Sequence, residues 1–340
     1  MENLNDLISA VELTAEARMA AEAYEGEGQS FARYLPSVTT DGISIELTQT
    51  GSGGLVEEAA YRAFSAEPEI AGGELGDIVT LRLPALGQKR PLTEWAQLMD
   101  RNAGEEVQRA AFRRTARLAG AAIAATAERQ RVSVAVTGAA TIAGRRFQST
   151  DDFGRAASHT QTAPQLWTDA AVSRTDYLRS LVDVYVGTNG VPPGAIVMGS
   201  KVYRALLRGS EFTETLANGA TRPMGRDAVF AVLDDLDIPV IERYDLRTSA
   251  GPILPENVVL LMPPAGPTVA EEPTALGAMY WGRTLTSGME QYGILEAEQP
   301  GIIVGAFRET GIPHTAWVES DAIALPALAN PNLTLAATVL

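Results

Sequence analysis

The side chains that could do chemistry in this 340-residue chain are few and scattered. There is no cysteine, so disulfides, thiolate metal sites and cysteine nucleophiles are excluded together. The two histidines, His159 and His314, lie far apart with no acidic neighbours at metal-ligand spacing, and each reads as a packed or surface histidine. The two lysines, Lys89 and Lys201, sit outside any glycine-rich phosphate loop of the right spacing. "GSGG" at 51–54 lacks the strand-to-helix context of a dinucleotide fingerprint, and no G-x-S-x-G elbow occurs. Asp234, Asp235 and Asp237 in "DDLD" could hold a cation, but the glycine and glutamate of a calcium loop are missing. They read instead as solvated acids at a helix end, and Asp151–Asp152 reads the same way. Trp95, Trp167, Trp281 and Trp317 are dispersed, which suits core or interface packing. No catalytic, cofactor-binding or metal-ligating residue is assigned, no cofactor is expected, and the chain does not read as an enzyme.

Composition narrows the class further. A hydrophobic fraction of 46% with 20% charged residues is that of a globular chain. The net charge of −15 argues against a nucleic-acid binder, which would carry a basic balance or stripe. The N-terminal residues lack the basic and apolar regions of a signal peptide, and no apolar run reaches the ~20 residues a bilayer span needs. A soluble protein made in a cytoplasm, without membrane contact, is expected.

The elements that would position these residues follow from periodicity. Leu4, Leu7, Ile8, Val11 and Met19 fall near helical spacing and predict an amphipathic helix over 1–24. "GISIELTQT" and "DIVTLRLP" alternate with the period of a strand, and glycine clusters at 51–54 and 72–76 lie between them. Fully extended, 41–65 would reach ~80 Å, too far to bury itself. Residues 41–90 are therefore expected to order mainly on a neighbouring subunit. "EEVQRAAFRRTARLAGAAIAATAERQR" predicts a helix over about 105–131, with Arg109, Arg113 and Arg117 on one stripe. That stripe reads as a solvated face ahead of the alternative, an interaction surface. "VSVAVTGAATIAG" then reads as strand. From Ser173 helices and strands alternate through "AIVMG", "SKVYRALLRG", "AVFAVLDDLD", "IPVIERY", "NVVLLMPP" and "LGAMYWGRT". This predicts a compact α/β unit over 173–285.

The order of these parts resembles the major capsid proteins of tailed bacteriophages, specifically the lambda-type group. The resemblance rests on "YLPSVTTDGISIEL", "LTEWAQLMD" with the arginine-rich helix and "GAATIAG", then "AIVMGSKVYRALLRG", "DIPVIERYD", "ILPENVVLLMP", "GAMYWGRT" and the ending "AWVESDAIALPALANPNLTLAATVL". It covers essentially the whole chain. It implies an α+β fold with an N-terminal arm over 1–35 and an extended β-hairpin loop over 36–91. A peripheral domain would be built from 92–172 and 286–340 around the spine helix, with an axial domain over 173–285.

The function so implied is structural: an icosahedral shell of hexamers and pentamers around double-stranded DNA. Portal and scaffolding proteins would take part in assembly, a decoration protein is compatible, and DNA contact would be non-specific. An acidic lining repels packaged DNA rather than pinning it. With only a short arm before "FARYLP", scaffolding, where needed, is expected to be a separate protein. Lys89 lies at the base of the loop, so the lysine–asparagine crosslink of some relatives is not carried over. Two rival readings are an encapsulin-type compartment of the same fold and an α/β enzyme with its site in 173–285.

Overall fold

The computed structural model describes residues 2–26, 28–48, 61–62, 64, 67, 78–99, 104–144, 147–169, 171–215, 221–266 and 272–340. The glycine clusters of the expected extended loop, at 51–54 and 72–76, lie outside the described residues. The helices are α1 (Ala10–Glu25), α2 (Glu94–Met99), α3 (Glu105–Thr137), α4 (Arg174–Asn189), α5 (Ser200–Leu206) and α6 (Arg226–Asp235).

Helix α1 starts later than the apolar spacing predicts. Its N-cap is Ser9, whose side chain accepts from the Glu12 amide at 3.2 Å. Leu4 and Ile8 are buried ahead of the helix, whereas Val11 and Met19 face outward. The buried face is Ala10, Leu13, Thr14, Ala17 and Ala21. Small residues occupy that face because it packs closely on α3.

Helix α3 ends later than expected. It runs 33 residues, ~50 Å, through "VSVAV", which alternates like a strand. Val132, Val134 and Ala135 are all fully buried, and that burial outweighs the small helix penalty of β-branched residues. The helix stops at Gly138, which takes the left-handed conformation at φ 75° and donates its amide to the Val134 carbonyl at 2.8 Å. A hairpin of Ala139–Ala143 and Gln148–Asp152 follows.

Two sheets carry the rest. The first is organised on the 13-residue strand Ala316–Leu328. Its residues Ala316–Asp321 pair antiparallel with both Ile303–Arg308 and the strand Ala85–Leu92. Ile323–Leu328 pairs with Gly277–Gly282, which in turn pairs parallel with Ser37–Thr39. Helices α1 and α3 cover this sheet, and Leu13, Ala17, Phe112, Ile123, Val304 and Val318 share one core.

The second sheet has five strands in the order Ile241–Arg243, Ala195–Met198, Val258–Met262, Leu335–Thr338, Thr160–Thr162. Ala195–Met198 and Val258–Met262 are buried at every position, which explains their unbroken apolar sequences. Its pairings do not respect the boundary expected at 285. The closing strand Leu335–Thr338 lies between Val258–Met262 and Thr160–Thr162, while Gly277–Gly282 belongs to the first sheet. The reason is two-sided burial. Leu335, Ala337 and Val339 are fully buried and Ala336 nearly so, which a central strand position satisfies.

The base of the extended loop also differs from expectation. Ser44–Thr48 and Ile78–Arg82 pair antiparallel with Ile45 opposite Leu81. Ile45, Leu47, Leu81 and Leu83 are buried in the core of their own chain. The inward faces of these two strands are therefore buried within their own chain, where the expectation placed them on a neighbour.

Candidate functional site

Several charged residues of this chain join one element to another. Helix α1 lies so close on α3 that a Cβ at Gly120 would come 2.1 Å from the Ala17 carbonyl oxygen. Arg113 donates to Glu12 at 2.5 Å and Arg117 to Glu16 at 2.6 Å, both across the helix pair. The hydrogen bond from Arg117 holds the Glu16 carboxyl below the usual glutamate range. Arg109 bonds Glu105 on its own helix at 2.8 Å. The arginine stripe is thus an interaction surface for α1 at two of its three positions.

A second group of charges is wholly enclosed. Glu128 and Arg131 of α3 are both 0% exposed. Glu128 accepts from Ser30 Oγ at 2.9 Å, the Phe31 amide at 2.7 Å and Tyr244 Oη at 2.8 Å. Arg131 donates Nη2 to Glu25 at 2.7 Å and to Ser37 Oγ at 2.7 Å. Trp281 Nε1 donates to the same Ser37 oxygen at 2.9 Å. Burial first, and then the Glu128 charge, push the Tyr244 phenol well above its ordinary range, so it remains a donor. One cluster therefore ties together the end of α1, the segment after it, the C-terminal third of α3, the first sheet and the loop after Ile241–Arg243.

These residues were not singled out from sequence, because their partners are remote and Glu128–Arg131 at i,i+3 resembles a surface pair. The available signal was helical phase. Both fall on the face of Ala124, Ala127, Val132 and Ala135, which is buried.

The end of α3 has its own clamp. Arg155 donates to the Ala135 carbonyl at 2.9 Å, the Val136 carbonyl at 2.6 Å, Thr160 Oγ1 at 2.7 Å and Thr334 Oγ1 at 3.2 Å. The guanidinium satisfies helix-end carbonyls and binds the closing segment. Its burial pushes its pKa down to about 10. His159 lies beside it, fully buried, with Nδ1 3.0 Å from the Thr334 carbonyl. A carbonyl only accepts, so Nδ1 carries the proton. Burial pushes the imidazole below its ordinary value, and the Arg155 charge acts in the same direction.

The remaining sequence candidates do not converge. His314 is exposed on the turn before Ala316–Leu328, remote from the core position of His159. Lys89 places Nζ 4.5 Å from the Phe307 ring centroid and 4.6 Å from that of Trp317, a cation–π site. Lys201 is exposed, 3.9 Å from Glu256. Trp167 and Trp281 are buried, Trp95 is exposed, and Trp317 Nε1 donates to Glu309 at 2.9 Å. Asp151 and Asp152 accept local bonds from Ser149 and the Gly154 amide. Asp234, Asp235 and Asp237 are exposed around the end of α6. Among the described residues no group of three His, Asp or Glu is placed to hold a metal. A groove of about 650 Å³ between α2, the start of α3 and residues 308–314 presents Leu98, Phe112, Arg308 and His314.

Comparison with known proteins gives this architecture its context. Residues 9–339 match the family described as phage major capsid protein E. No curated protein matches the chain. A crystal structure described as a prophage capsid protein from Escherichia coli CFT073 covers 96% of this chain and 99% of its own. It is 15% identical, with a TM-score of 0.60. A phage-related protein from Bordetella bronchiseptica RB50 covers 96% of this chain and 94% of its own, at 14% identity and a TM-score of 0.56. At these identities the likeness is one of fold, the α+β fold of phage major capsid proteins. The family match reaches further, because it spans nearly the whole sequence: this chain belongs to the phage major capsid protein E family, whose members are structural proteins of the virion shell.

Proposed function

We propose that the chain assembles with copies of itself, as hexamers and pentamers, into an icosahedral shell that encloses phage double-stranded DNA. It is made in the host cytoplasm, and portal and scaffolding proteins take part in its assembly. A decoration protein can bind the finished shell. The observation that carries this reading is the clamped body of a capsid-family chain. Its buried charges, Glu128, Arg131 and Arg174, and the half-buried Arg155 hold elements in register. A shell subunit needs such a body, because contacts with neighbours are only as accurate as the surfaces that present them. The net charge of −15 suits a lining that keeps DNA free of the wall.

Electron microscopy of the expressed protein tests the proposal. Uniform shells that package DNA when portal and scaffold are supplied support it. Shells that enclose a protein cargo instead point to a compartment, and dispersed subunits under all conditions contradict it.

A further inference from the structure

The five-stranded sheet carries opposite charges at two of its corners. Ala195–Met198 and Ile241–Arg243 run parallel, so their C-terminal ends share one end of the sheet. Helix α5 begins there, at Ser200, and presents exposed Lys201 and Arg204, with Arg208 just beyond it. The closing strand is antiparallel to Val258–Met262, as Ala195–Met198 is, so Leu340 emerges at the same end. Lys201, Arg204, Arg208, Arg174, Trp167 and Leu340 line one recess there. Arg174 is 1% exposed, and its guanidinium Nε has no hydrogen-bond partner. Lys201 has a loose contact with Glu256 at 3.9 Å. Among the described residues, no hydrogen bond or ion pair engages the side chain of Arg204 or Arg208.

The opposite corner is acidic. Asp234, Asp235 and Asp237 precede the N-terminal end of Ile241–Arg243, the edge strand, and all three are exposed. No side chain among the described residues pairs with them. Asp234 and Asp235 sit in the last turn of α6, where the helix macrodipole opposes negative charge. Local helix stability therefore does not account for them. Beside them Phe230, Pro239 and Val240 line a shallow groove, and Val240 is 69% exposed. Arg226 remains on its own helix, over the Phe230 ring.

We propose that these corners meet between two copies of this chain. The Lys201, Arg204 and Arg208 recess of one copy takes the Asp234, Asp235 and Asp237 corner of the next. The basic side chains follow the C-terminal end of Ala195–Met198 and the acids precede the N-terminal end of the adjacent strand Ile241–Arg243, so the corners lie at opposite ends of the sheet, and no ion pair among the described residues joins them within one copy. A contact between different surfaces is head-to-tail, and such contacts close into rings when the rotation permits. This inference rests on the shell reading and names a contact within its rings.

Charge reversal tests it. Arg204→Glu with Arg208→Glu should lower the yield of sedimenting particles from the full chain at least about tenfold, because like charges then face each other. Asp234→Arg with Asp235→Arg should do the same. The chain carrying all four substitutions should recover particles, since its corners are complementary again. Recovery would also show that none of the four changes prevents folding. Unchanged yield in either double variant, or no recovery in the combined one, overturns the contact. Absence of particles from the unaltered chain would overturn the shell reading instead.

Discussion

Tyr244 donates its phenolic hydrogen to Glu128 at 2.8 Å, and the two residues, 116 apart in sequence, are both buried. Their bond links the spine helix to the five-stranded unit at a site from which water is excluded. Removing the carboxylate should be severe, because Ser30, the Phe31 amide, Tyr244 and Arg131 all lose a partner. Glu128→Ala is expected to cost about 3–5 kcal/mol in urea unfolding of the dispersed subunit. Tyr244→Phe, which removes one bond to a charged acceptor, should cost about 1.5–3 kcal/mol. Equal losses in the two variants would show that the cluster does not act through Glu128.

Gly120 provides a test of the helix clamp. On an exposed helix, alanine in place of glycine stabilises by about 1 kcal/mol. Here the added methyl would meet the Ala17 carbonyl. Gly120→Ala should therefore destabilise by about 1–3 kcal/mol, as overpacking does. A higher melting temperature would mean that α1 is not held at this distance.

Acid should weaken the closing segment through His159. The fold favours neutral imidazole, because Nδ1 serves Thr334 while Nε2 is buried without a partner next to Arg155. Tyr185 faces the same ring, and Asp152 is the acid whose charge acts on Arg155. As pH falls through about 6.5, the unfolded chain takes up a proton that the fold resists. Stability is thus fully present above that value and is lost below it. His159→Gln should flatten this part of the stability profile between pH 7 and 5. An unaltered slope would assign the acid sensitivity to other groups.

Deleting residues 331–340 should prevent cooperative folding. Leu333, Leu335 and Val339 are buried, and each such side chain contributes roughly 1.5–3 kcal/mol. Together they approach the stability of a typical domain. The deletion also opens a five-stranded sheet at an inner position. A truncated chain that melts cooperatively as a monomer would contradict the closing strand's place in the core.

Where an element is specified by its own residues, it was legible in the sequence. The alternation in "GISIELTQT" and "DIVTLRLP" marks two strands, in which Ile45, Leu47 and Leu81 are the buried positions. The unbroken runs at 195–198 and 258–262 mark buried strands in the same way. What remained hidden depends on partners distant in sequence. "VSVAV" alternates like a strand, and only packing over Val132 and Val134 keeps it helical. Leu335–Thr338 is recognisable as a strand, but its sheet is chosen by the slot between Val258–Met262 and Thr160–Thr162. Arg155 and Glu128 look like ordinary surface charges until the segments they join are in place. Arg113 and Arg117 lie on the predicted stripe, yet their partners Glu12 and Glu16 are about a hundred residues away.

The central claim, that this chain is the repeating unit of a shell, is tested most directly by sedimentation velocity of the purified full-length protein under assembly conditions. The account predicts a discrete, fast-sedimenting boundary of closed particles, far heavier than the 36.1 kDa chain. A single species of one chain's mass, persisting at every concentration and with scaffold present, would contradict it.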